Sequence, residues 1–218
     1  MVGGRGRLQT LALAGGAAEV PLVAGDVVEF TPGTIHRAVN DEDLQVVVVM
    51  ENGGLPEAGD AVLTLPAEHL RDPEAYAPAT SLAGPDGSPS PERARARRDL
   101  AVEGFLELRR HAEGGDSAAL AAFHAAAVSL VRPRVADWRE RWRAGALAAA
   151  KRTGGRLAAL ELGEADHLRA AGTYRLSRQA EPVLGTCGFL SPYLPECVPS
   201  PVPVGVVGED TPAPARRR

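Results

Sequence analysis

Few side chains in this chain can ligate a transition metal or move a proton near neutral pH. There are five histidines and two cysteines in 218 residues. His36 is the best placed of them. It follows "GDVVEFTPGT", where Gly25-Asp26 reverses the chain and Thr31-Pro32-Gly33 reverses it again. Proline fixes φ and glycine permits a sharp bend, so the next segment starts in a set direction with His36 near its first residue. A neutral imidazole delivered this way suits a divalent transition metal. Asn40, four residues on, can cap the following turn through its side-chain amide.

The other candidates read as structural. His69 falls on a short exposed helix, and His124 lies among alanines, where helix packing accounts for it. His111 and His167 sit near helix ends, where a cation complements the helix dipole. Cys187 is flanked by residues that keep its backbone open, yet a lone thiol is usually a small buried hydrophobe. Cys187 and Cys197 form no CxxC pair and no disulfide framework. Trp138 and Trp142, one helical turn apart, are expected to anchor a helical core. Arg93–Arg98 reads as a solvated helix face.

Short strands must position His36. "RLQTLAL" (Arg7–Leu13) alternates polar and apolar residues, "AGGAA" is a turn, and "EVPL" (Glu19–Leu22) is a return strand. "VVEF" (Val27–Phe30), "HRAVN" and the β-branched run "LQVVVVM" (Leu44–Met50) follow, and "AVLTL" (Ala61–Leu65) closes the series. Short strands at regular spacing indicate a sandwich or barrel. "APATSLAGPDGSPSPE" (Ala77–Glu92) is rich in proline, glycine and serine and reads as a flexible linker.

Beyond it the pattern turns helical. Ser90 and Pro91 have the chemistry of a helix start, and Gly114-Gly115 that of a stop. Leu100, Phe105 and Leu108 form the apolar side of that helix. Asp116 is placed to cap a second helix, and a third carries the tryptophan pair. These helices predict a small bundle. The proline-rich end, 196–218, predicts a disordered tail.

Composition narrows the function classes. A net charge of −4 argues against a general nucleic-acid binder, and Lys151 is the single lysine among 24 basic residues. No apolar run reaches the roughly 20 residues that a membrane helix needs, and the N-terminal stretch lacks the form of a secretory signal. The expected setting is therefore cytoplasmic, with no nucleic-acid or membrane partner.

The spacing from Gly25 to Asn40 resembles the second motif of the cupin superfamily: a Gly, five residues, Pro-any-Gly, two residues, His, three residues, Asn. Thr31 stands at the motif's first proline, while Pro32 and Gly33 keep the turn. The resemblance covers about residues 3–66. It implies a jelly-roll barrel and a divalent metal (Fe, Mn, Ni or Zn) in a full-length form, with His36 as one ligand and Phe30 and Val47 as pocket walls. The family's other ligands come from an earlier His-any-His motif followed by Glu. No such motif occurs here, and "GGRGRL" (Gly3–Leu8) looks like its glycine-bearing end.

The expected fold class is thus α+β: a partial cupin jelly-roll β-barrel, N-terminally incomplete, followed by a small helical bundle. The expected domains are 1–76 for the β part, 77–91 for the linker and 92–195 for the helices. The resemblance implies a small-ligand-binding cupin with an incomplete metal site at His36. The alternative is a metal-dependent enzyme, of dioxygenase or sugar-isomerase type, whose first motif is missing from this chain. A partial barrel has open strand edges, so a homodimer through the β part is also expected.

Overall fold

The computed structural model describes residues 1–49, 55, 59–169 and 171–172, and the backbone of four short strands beyond them. Two antiparallel pairings form around a central strand. Strand β1 (Gly3–Ala12) pairs with β2 (Gly16–Val23) on one side and β3 (Ile35–Gln45) on the other, giving the order β2-β1-β3. The alternating sequence of β1 suits the centre, because both its faces bury side chains. Leu11 is fully buried on one face and Leu8 is buried on the other. Pro21, which has no N–H to donate, lies in the edge strand β2.

The fold is therefore α+β, and among the described residues the sheet is open. Three segments expected as strands are not paired among the described residues, and Met50 lies outside them. Val27–Phe30 and Val46–Val49 carry no regular structure, and Ala61–Leu65 is irregular as well. A β-branched sequence favours extended backbone, but a strand exists only where a neighbour accepts its hydrogen bonds. β3 also runs through the acidic stretch expected to be a turn. It does so over a bulge against β1, with register shifts on both sides of Arg5. Gly4 (φ +72°) and Asp43 (φ 43°) carry the irregular backbone there. A Cβ on Gly4 would stand 2.1 Å from the Asp43 carbonyl oxygen, so only glycine fits.

The helices begin and end where their caps are. α1 (Pro73–Thr80) starts at Asp72, whose carboxylate accepts from the Ala75 N–H. α2 (Pro91–Glu113) starts at Ser90, whose hydroxyl accepts from the Arg93 N–H, with Pro91 in the first turn and Gly114 at the end. α3 (Ala118–Val131) follows directly, with the Asp116 carboxylate accepting from the Ala118 N–H. α4 (Val135–Trp142), a π-helical turn (Arg143–Leu147) and α5 (Ala148–Glu161) come next.

The core is shared between sheet and helices. Leu11 of β1, Phe105 of α2 and Leu120 of α3 form one buried cluster, flanked by Ala17 and Ile35 of the outer strands. Leu65, Leu70, Phe123 and Leu130 form the second, and Ile35 packs against both. The segment 61–65 crosses α2 at Gly104, where a Cβ would lie 2.2 Å from the Thr64 carbonyl oxygen. It is pinned there by polar bonds. Thr64 Oγ1 donates to the Ala101 carbonyl at 2.8 Å, and the Leu63 N–H donates to the Tyr76 hydroxyl at 2.9 Å. Burial raises the Tyr76 pKa.

The stretch expected as a linker, 77–91, holds the end of α1 and a hydrogen-bonded turn. There the Ser90 N–H donates to the Leu82 carbonyl and the Gly84 N–H to the Ser88 carbonyl. The chain divides instead at Thr153/Gly154: Met1–Thr153 is one compact unit, sheet and helices together. The tryptophans do not anchor a separate helical core, and Trp142 is 45% exposed. Phe105, at 2% exposed, does the anchoring and faces the sheet.

The second unit, Gly154–Arg218, contains the end of α5, the short α6 (Asp166–Arg169) and two strand pairs. These are β4 (Tyr174–Arg175) with β7 (Ser200–Pro201), and β5 (Val183–Gly185) with β6 (Gly188–Leu190). Strands thus occur within 92–195, expected to be helical, and the β5–β6 ladder ends at the Gly185–Gly188 pair. Cys187, Cys197 and most of the tail 196–218 lie outside the described residues.

Two substitutions test this packing. Gly104→Ala should destabilise the first unit by about 1–3 kcal/mol, because the added methyl must push the Thr64–Leu65 backbone off α2. Phe105→Ala should cost about 3–5 kcal/mol, and Trp142→Ala much less. Urea denaturation followed by circular dichroism measures all three. Equal losses for Phe105→Ala and Trp142→Ala would place the anchor elsewhere.

Candidate functional site

His36 stands second in β3, after two turns that form as their sequence demands. Gly25 takes φ +97°, and the Asp26 carboxylate accepts from the Val23 N–H at 2.8 Å. Gly33 takes φ +87°, and the Thr34 N–H donates to the Thr31 carbonyl at 3.1 Å. Inside β3, in the stretch expected to be a turn, the Asn40 amide oxygen accepts from the Leu44 N–H at 2.9 Å and spans the bulged stretch. Leu44 folds back over Gly6, where a Cβ would meet its Cδ2 at 2.9 Å.

Register sets the direction of the imidazole. His36 pairs with Thr10, one residue from the Leu11–Ile35 pair. Neighbouring residues point to opposite faces, so His36 lies on the face away from the Leu11–Phe105 cluster. Its ring stacks on Phe30, with centroids 4.1 Å apart and planes tilted by 33°. Nδ1 lies 3.1 Å from the Thr34 carbonyl oxygen. A carbonyl only accepts, so Nδ1 carries the proton in this bond, and in the neutral ring Nε2 is then the nitrogen with the lone pair. Phe30 is 39% exposed, so apolar surface is open beside the ring, and Val20 of β2, 37% exposed, lies on the same face of the sheet.

Phe30 is thus beside His36, as the resemblance implies. Val47, the second implied wall, follows the end of β3 and is exposed. Among the described residues no group of three His, Cys, Asp or Glu side chains could hold a metal ion. His36 supplies one nitrogen where a three- or four-ligand site is needed, so the described residues do not fit a metal by themselves.

The other histidines lie elsewhere. His69 ends a single 3-10 turn (Ala67–His69). His111 Nδ1 is 2.8 Å from the Asp116 carboxylate, joining the end of α2 to the start of α3. The Ala118 N–H, ahead of His111, holds the Asp116 pKa below its ordinary value. His124 Nε2 and His167 Nδ1 are buried without a hydrogen-bond partner among the described residues.

A polar cluster on the opposite face was not legible from spacing. Arg7 bonds Asp41 through two nitrogens, each at 3.0 Å, and also reaches Glu19. Gln9, only 6% exposed, donates to Glu19 at 2.6 Å and accepts from Arg37 at 3.2 Å. Arg37 lies over the Phe105 ring, and Arg109 of α2 pairs with Glu19 at 3.7 Å. The one available signal is parity. Arg7, Gln9 and Leu11 share a face of β1, so a polar stripe leads into an apolar contact. These groups satisfy one another, which makes the cluster a joint between sheet and α2.

The joint has an acid dependence with a definite sign. Hydrogen bonding and charge from Arg7 hold the Asp41 pKa below its ordinary value. The bond from Gln9, then the Arg7 charge, does the same for Glu19. Both groups bind protons less readily when folded. Their contribution is present above the unfolded carboxylate range, about pH 4, and is lost as pH falls through the lower folded values. Arg7→Met should therefore lower stability at pH 7 and flatten its decline below about pH 4. Thermal melts from pH 7 to pH 3 read this, and parallel curves for the two proteins would exclude the joint.

Compared with models of known protein families, with characterised proteins and with solved structures, the chain matches none.

Proposed function

We propose that this chain is a cupin-type module that binds a small ligand on the sheet face bearing His36, with a metal site that its own described residues leave incomplete. One observation carries the reading: His36 has Nδ1 tied to the Thr34 carbonyl and its ring on Phe30, leaving Nε2 to an outside partner. The motif spacing from Gly25 to Asn40 supports it. So do the formed turns at Gly25 and Gly33, which set where β3 begins, and the Asn40 bond to Leu44. A ligand suited to this face has an apolar body to lie against Phe30 and Val20 and one group that donates a hydrogen bond to Nε2. Held this way it is bound and oriented, and no reaction step follows from a single imidazole.

Ligand-observed NMR with small aromatic and aliphatic alcohols and acids tests the binding. Binders of the wild-type chain should lose at least about tenfold in affinity, ~1.4 kcal/mol, with Phe30→Ala or His36→Ala. Binding untouched by both substitutions would overturn the assignment. Metal content separates the incomplete site from a working one. The purified chain should hold Fe, Mn, Ni and Zn far below one equivalent, unchanged by His36→Ala. One equivalent of metal lost on His36→Ala would show a complete site and favour a metal-dependent activity.

A further inference from the structure

We draw no further inference here: the strongest candidate, the exposed valine run Val46–Val49 that continues β3 beyond its last paired residue, is an unpartnered apolar segment, and nothing in the structure shows what covers it.

Discussion

One turn of α2 is buried from two directions, and the first unit depends on it. Gly104 gives its missing side chain to the Thr64–Leu65 backbone, and Phe105 beside it fills the space against Leu11 and Leu120. Adjacent helical residues point about 100° apart, so a single turn can hold an irregular segment on one side and a sheet on the other. A larger residue at the first position would lift the 61–65 segment. A smaller one at the second would strip Leu11 of its largest apolar partner and leave Leu120 to cover it. Neither Leu11 nor Leu65 could be buried by its own neighbours in sequence.

This double contact explains why residues 1–153, which read as strands followed by separate helices, form one compact unit. A stretch of proline, glycine and serine between strands and helices resembles a spacer. Yet the stretch is short, and hydrogen bonds from Gly84 and Ser90 turn it tightly. The residues that join strands to helices stand outside it. Gly104 and Phe105 sit mid-helix, where glycine looks like a weak point and phenylalanine like one more apolar residue. Long-range contact of this kind leaves no local mark. The turns and caps, by contrast, are local chemistry. Gly25, Gly33, Ser90, Pro91 and Gly114 all act where their types and positions predict.

The unpaired strands fail for a related reason. Val27–Phe30 and Val46–Val49 carry strong β-forming sequence, but hydrogen-bonded pairing belongs to two segments at once. β1 gives one edge to β2 and the other to β3, and among the described residues no segment pairs with the outer edge of either. Ala61–Leu65 has partners of a different kind, the α2 backbone at Ala101 and the hydroxyl of Tyr76. Apolar content marked it as buried, and burial is what it achieves, without a ladder.

The location of His36 follows from register, and register from packing on the other face. Ile35 must meet Leu11 because both line the Phe105 cluster, so His36 is turned outward. A slip of one residue would exchange the faces: His36 would enter the apolar cluster and Ile35 would face water. Arg37, returned to the inner face, is held by Gln9 and lies over Phe105, which opposes such a slip from the polar side. The bulge at Gly4 and Asp43 fixes the far end of the same strand, since its positive φ values occur at one position of the ladder. The outward imidazole is therefore a consequence of what the helices require of Ile35 and Arg37, and the turn at Gly33 sets only where the strand begins.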